Sequence, residues 1–226
     1  MRNALVSSGR TKDTVKIVGV TKALPFQAAV AAVQNGIYNL GESRVQEASE
    51  KIPAVEQFLI ENNVDISKLT WHMIGRIQSN KAAKAARIFD VIHSVDTIKA
   101  ARILSRTSAE IGKKLRVFIE VNTSNESQKG GIALDSVKDF VAEISALDAL
   151  HLEGLMTIGR KSDKEEVIRE SFSSLRKMND NISNEYNDSQ YGRQLSMGMS
   201  GDYQLAVCEG ATMIRVGGAI FGPRPK

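Results

Sequence analysis

The chain has 226 residues, 42% of them hydrophobic, enough to bury a substantial core in one domain or two, a single large α/β barrel included. Its formal charge of +4 and pI near 9.1 favour anions. The basic residues are dispersed among 26 acids and form no basic-aromatic stripe, which argues against a nucleic-acid partner. One cysteine, Cys208, excludes an intramolecular disulfide framework and fits a reducing compartment. No apolar run approaches the roughly 18 residues of a membrane span. The opening "MRNALVSSGR" lacks the long apolar region of a signal peptide. A soluble cytoplasmic protein is expected, with no membrane partner.

The first apolar run, 16–21, belongs to "VKIVGVTKALP" and ends at Lys22. Val, Ile and Gly suit a buried strand, whereas an ammonium is rarely left buried without a partner. Lys22 therefore either passes the strand end and reaches solvent, or sits in a cleft where its amine is used. A helix follows over 25–36, with Pro25 near its start and Gly36 at its end. Strand 38–42 leads into helix 43–59, where Ser43 and Gln46 fit a capping box and Pro53 is expected to kink or divide the helix. Strand 70–75, helix 79–88, strand 91–95, helix 96–112 and strand 115–122 come next. They are followed by helix 134–147, strand 152–158 and helix 164–182, whose polar continuation to 190 reads as a frayed end and surface loop. Strand 194–197, helix 201–210 and strand 213–217 complete the chain, and Cys208 reads as a buried thiol in the last helix.

Eight strands, each but the last followed by a helix, predict a (β/α)8 TIM barrel, a single domain over residues 1–226. A doubly wound open sheet is the competitor. In the barrel the C-terminal ends of the strands face the active site, which places Lys22 at the mouth.

Two late stretches, "LSMGMSGD" (195–202) and "MIRVGGAIFG" (213–222), put small residues directly after strands seven and eight, where barrel phosphate sites are commonly built. Ser200 and Gly201 precede a helix, so their N–H groups can point at an anion. Gly217 and Gly218 admit close backbone approach. Two tight turns would need the same glycines. Arg215 alternates with Ile214 and Val216, and if it faces inward it requires a partner, either an acid such as Glu42 or Glu120 or a ligand. Lys22, an anion site and an inward arginine together suggest an aldehyde cofactor with a phosphate tail. Pyridoxal 5'-phosphate meets all three requirements.

Across nearly the whole chain from about residue 15, the motifs "VGVTKALP", "LGESRVQE", "WHMIGRIQSNK", "VNTSNESQKGGI", "GLMTIG", "LSMGMSGD" and "TMIRVGGAIFG" resemble those of the pyridoxal phosphate homeostasis proteins. That family is related to the N-terminal barrel of alanine racemase. The resemblance implies that Lys22 carries pyridoxal 5'-phosphate as a Schiff base and that Ser200, with the backbone of Gly217 and Gly218, holds its phosphate. It implies that Arg215 faces the pyridine nitrogen and that Ser43, His72 and Met156 line the pocket. His72 has a second reading as a hydrogen-bonded core residue, and Met156 as ordinary packing. Ser43 stands where many members have asparagine, and Leu24 where many have a second lysine, while Lys129 is retained. With only about 14 residues before the first strand, the N-terminal helix usual in the family is expected to be shortened.

The implied function is to hold pyridoxal phosphate reversibly, limit the free aldehyde and hand it to apo-enzymes, as a monomer, with no catalytic residue and no metal. The alternative is a pyridoxal-dependent amino-acid racemase of weak activity. Alanine racemases continue into a second, β-rich domain that supplies a catalytic tyrosine, whereas this sequence stops at Lys226. None of Tyr38, Tyr186, Tyr191 and Tyr203 suggests the second base that racemisation needs.

Overall fold

The computed structural model describes residues 2–11, 13–124, 126, 129–186 and 191–223. Eight parallel strands close into a barrel in sequence order: β1 (Lys16–Val20), β2 (Asn39–Glu42), β3 (Thr70–Met73), β4 (Val91–Val95), β5 (Leu115–Glu120), β6 (Leu150–Met156), β7 (Gln194–Ser196) and β8 (Met213–Val216). The ring closes because β8 pairs with β1, Val18 lying opposite Arg215. The outer layer consists of α2 (Phe26–Gln34), α3 (Val45–Glu61), α4 (Ser79–Ile88), α5 (Ile98–Glu110), α6 (Val137–Ser145), α7 (Glu165–Ser183) and α8 (Tyr203–Cys208). Short helices α1 (Arg2–Ser7) and α9 (Gly218–Phe221) precede β1 and follow β8. The open-sheet alternative is thereby excluded.

The local physics is that of a sheet covered on both faces. All five residues of β4 are buried, the apolar Val91, Ile92 and Val95 together with the polar His93 and Ser94. The helices are amphipathic: α4 turns Ala82, Ala85 and Ala86 inward, and α6 turns Val137, Phe140, Val141 and Ile144. Thr97 caps α5, its hydroxyl accepting from the Ala100 N–H. Inside the barrel, Val18, Val91, Phe118, Met156 and Met213 form a compact apolar layer. The larger core fills the space between sheet and helices.

Several local expectations are corrected. β8 is followed by a helix after all, the short α9. Ser43 does not cap α3, whose N-cap residue is Arg44 and which carries no side-chain cap bond. Pro53 neither ends nor divides that helix, which runs unbroken for 17 residues. Pro53 has no N–H to contribute to the ladder, and the buried stripe of Ala48, Ile52, Val55 and Leu59 anchors both halves to the sheet. Cys208 is only half-buried, its Sγ 3.7 Å from the Ala4 carbonyl oxygen on α1. The end of the expected loop, 187–190, lies outside the described residues. Among the described residues no helix is long and apolar enough to cross a membrane.

Candidate functional site

The barrel mouth holds a cavity of about 260 Å³ into which Lys22, Ser200, Gly201, Arg215, Gly217 and Gly218 all face. Val20, Ile74, Ile158 and Met199 form its apolar walls. Lys22 lies two residues past the end of β1, and the chain on either side of it is tied down. The Thr21 hydroxyl donates to Glu42 Oε1 at 2.7 Å, and the Ala23 N–H donates to Glu47 Oε1 at 2.7 Å. Ala23 is left-handed (φ 58°), a conformation uncommon for a residue other than glycine, which turns the chain sharply after Lys22. Lys51 on α3 stands behind this turn. Its ammonium donates to the Thr21 carbonyl, to Glu42 at 2.9 Å and to Glu47 at 2.7 Å. Burial raises the Glu42 carboxyl above its usual pKa against these bonds, and its Oε2 accepts no hydrogen bond among the described residues.

Across the cavity, Ser200 Oγ accepts from the N–H groups of Gly217 (3.2 Å) and Ala219 (3.3 Å). Among the described residues no acceptor takes the Ser200 hydroxyl proton, which leaves it for a ligand. A Cβ on Gly218 would meet only Ser200 Oγ, at 3.9 Å, so the missing side chain is what opens the space beside that hydroxyl. On Gly217 a Cβ would come within 3.2 Å of the Val20 carbonyl oxygen.

Arg215 faces inward and is 4% exposed. Neither acid expected as its partner pairs with it. Glu42 is turned toward α3 and bound by Lys51, and no carboxylate among the described residues forms an ion pair with the guanidinium. Its Nη1 donates instead to the Ser196 carbonyl (2.8 Å) and hydroxyl (2.7 Å), and its Nη2 to the Thr157 carbonyl (2.9 Å). Burial lowers its pKa to about 10, which still leaves it a cation at neutral pH. A smaller hollow of about 140 Å³ adjoins at Ile158, lined by Glu120, Asn122 and Lys129. Burial, and next the charge of Asp96, push the Glu120 carboxyl up to about 7. The Lys129 ammonium lies 3.1 Å from Glu126 and donates to the Gly159 carbonyl.

Of the eight residues expected in the pocket, five line the cavity: Lys22, Ser200, Arg215, Gly217 and Gly218. His72 does not. It lies fully buried in the barrel interior, between Asn39 and His93, and Ile74, two residues on, takes the place at the mouth. Met156 likewise packs in the interior apolar layer with Val18 and Met213, one step below Ile158. Ser43 opens onto a separate hollow of about 400 Å³ with Arg44, Arg76 and Lys81. The β2–α3 and β3–α4 loops press together there, since a Cβ on Gly75 would fall 2.3 Å from the Ser43 carbonyl oxygen. The sequence reading did not single out Ser196, His93 or Lys51. Their only signals were a serine, a histidine and a lysine inside otherwise apolar periodic segments.

A lysine just past the first strand and a buried arginine on the eighth thus line one glycine-walled cavity at the mouth of a (β/α)8 barrel. The family model described as alanine racemase, N-terminal domain, matches residues 2–225. A pyridoxal phosphate homeostasis protein of Vibrio alginolyticus is 37% identical over 217 residues, 96% of this chain and 89% of its own length. The structure of PipY of Synechococcus elongatus PCC7942 with PLP bound is 33% identical, with a TM-score of 0.81 over 96% of this chain and 98% of that one. An alanine racemase of Clostridium difficile shares the fold alone, at 17% identity and a TM-score of 0.72 over 99% of this chain and 56% of that one. The chain belongs to the alanine racemase N-terminal domain family and, within it, to the pyridoxal phosphate homeostasis proteins.

Proposed function

We propose that this chain is a pyridoxal 5'-phosphate-binding protein of vitamin B6 homeostasis. It holds the cofactor covalently on Lys22, limits the free reactive aldehyde and hands it to apo-enzymes, working in the cytoplasm as a monomer and not as an enzyme. The observation that carries this reading is the single small cavity that gathers Lys22, Arg215, Ser200, Gly217 and Gly218. At about 260 Å³ it falls just below the roughly 300–1,000 Å³ typical of drug-sized ligand sites, which suits a small, compact ligand. The residues fit the group chemically: an amine for an aldehyde, a free hydroxyl proton beside an open glycine for a phosphate, and a buried cation for the ring. The PLP-bound relative, at 33% identity, supports the same assignment.

When bound, the cofactor supplies an electrophilic aldehyde. Lys22 would hold the group, its neutral amine being the nucleophile suited to an aldehyde, with water as the leaving group of the condensation. Ser200 would donate its hydroxyl proton to the phosphate, and the Ala23 turn sets the course of the chain just after the lysine. The non-enzymatic reading draws support from the lining. Among the described residues lining that cavity Lys22 is the one amine, and racemisation calls for an acid/base on each face. Lys129, at the adjoining hollow, is a second amine within the same mouth.

The test is spectral and chemical. Protein incubated with pyridoxal phosphate should absorb at Schiff-base wavelengths, and borohydride should fix the cofactor to the peptide holding Lys22. Lys22→Ala should lose the adduct and stay folded. An adduct mapping mainly to Lys129 would overturn the assignment.

A further inference from the structure

Arg215 is backed by a line of polar side chains that crosses the barrel interior. Its Nη1 donates to Ser196 Oγ at 2.7 Å, and Ser196 Oγ lies 2.9 Å from His93 Nδ1. His93 Nε2 lies 2.8 Å from His72 Nδ1, and His72 Nε2 lies 3.1 Å from Asn39 Oδ1. Ser196, His93 and His72 are each no more than 1% exposed.

Donor and acceptor chemistry gives the line one direction. A guanidinium only donates, so Ser196 Oγ accepts from it and has its own proton left for His93 Nδ1. His93 Nδ1 therefore accepts, and a neutral His93 carries its proton on Nε2 and passes a hydrogen bond to His72 Nδ1. His72 in turn is protonated on Nε2 and donates to Asn39 Oδ1. In the opposite sense the Ser196 proton would have no partner among the described residues. Both imidazoles must be neutral, because a second proton on either would set two donors face to face. The surroundings enforce this. Burial is the main cause in both rings, with Lys16 on β1 and Arg116 on β5 adding positive charge, and Arg215 on β8 adding more at His93. They hold His72 down at about 3 and His93 well below its usual range.

We propose that His93, backed by His72, is a positioning residue for Arg215: acting through Ser196, it fixes the guanidinium without placing a negative charge of its own against it. A carboxylate in the same place would hold the arginine equally well but would neutralise it. Three of the five guanidinium N–H groups are spent on Ser196 and Thr157. The Nε–H and one Nη2–H make no hydrogen bond among the described residues and stay available to an acceptor at the cavity that Arg215 lines. That this acceptor is the unprotonated ring nitrogen of pyridoxal phosphate rests on the function proposed above. The orientation of the arginine does not.

Nitrogen-15 NMR of the ligand-free protein, combined with an absorbance titration with pyridoxal phosphate, tests this. Both imidazoles should be neutral and protonated on Nε2 from about pH 5 to pH 8, the window in which an ordinary histidine titrates. His93→Phe preserves the ring stacked 4.7 Å from Phe118 but cuts the line. It should speed exchange of the Arg215 Nε–H and weaken the cofactor, each roughly tenfold, the scale of one hydrogen bond to a charged group. His93→Gln, whose carbonyl can accept from Ser196 while its amide donates to His72, should restore most of both. A purely structural role would lower the melting temperature without moving the guanidinium exchange. An imidazole protonated on Nδ1, or exchange unchanged in His93→Phe, overturns the proposal. If His93→Phe does not fold, Ser196→Ala cuts the neighbouring link and is read in the same way. Failure of the wild type to take up pyridoxal phosphate would sink the cofactor reading, and the exchange measurement would still decide the role of His93.

Discussion

Gly218 is the first residue of α9, and its backbone is not at positive φ. A methyl group there meets no protein atom closer than Ser200 Oγ at 3.9 Å. Gly218→Ala is therefore compatible with the fold. By restricting the unfolded chain it should stabilise the protein by about 0.4–1 kcal/mol. For a chain of this size that raises the melting temperature by roughly 1–4 °C. The same methyl occupies the space beside the Ser200 hydroxyl that is assigned to the phosphate. Displacing the anion from that hydroxyl forfeits one charge-assisted hydrogen bond, about 1.5–3 kcal/mol, or a dissociation constant some 10- to 150-fold weaker. Thermal melts of the ligand-free protein and an absorbance titration with pyridoxal phosphate measure the two effects separately. Gly217→Ala is the contrast, since its Cβ at 3.2 Å from the Val20 carbonyl oxygen should cost stability as well as binding. Wild-type affinity in Gly218→Ala would refute the phosphate assignment, and a lowered melting temperature would refute the conformational argument.

Lys51→Met should destabilise the protein by about 3–5 kcal/mol in denaturant titration, because it strands the buried Glu42 carboxylate. A loss below about 1 kcal/mol would mean that Glu42 is already protonated in the folded state. Glu120 favours the folded state in its protonated form. Its contribution is present below the usual 4.5 and is lost as pH rises through about 7, on the order of 3 kcal/mol. Stability of the wild type relative to Glu120→Gln should therefore fall between those values, and a flat difference in urea melts would contradict the burial argument. Incubation with L-alanine and pyridoxal phosphate should give no D-alanine by chiral chromatography. Turnover near ~1 s⁻¹ that disappears in Lys22→Ala would restore the racemase reading.

The barrel was legible because its strands, covered on both faces, are short and largely apolar stretches between turn signals, as in β1 and β5. The mouth residues on β1 and β8 were legible because the strand ends there are marked by a change of chemistry, Val20 to Lys22 and Val216 to Gly217. His72 and Met156 show the limit. Alternation gave them the correct face, but no punctuation shows how far along the strand the mouth begins. Ile74 and Ile158 sit one inward-facing step higher, about 6–7 Å along the strand. Ser43 was misplaced for a different reason: the contact between its loop and Gly75 is set by packing between distant segments. The Glu42–Lys51 pair was illegible as well, since it joins a strand to the second turn of a helix nine residues away.

The single tryptophan, Trp71, lies on β3 next to His72 but faces the helical layer, and its indole N–H donates to Glu56 on α3 at 2.9 Å. Its emission therefore comes from one site, 2% exposed and wedged between sheet and helix. It should be blue-shifted in the folded state and move to the red only when α3 parts from the barrel. Because the ring is turned away from the mouth, a ligand there can alter this emission through energy transfer but not by touching the indole. Quenching at constant wavelength would then report occupancy, and a spectral shift would report unfolding. The position of one aromatic ring gives the protein two distinguishable optical signals without any added label.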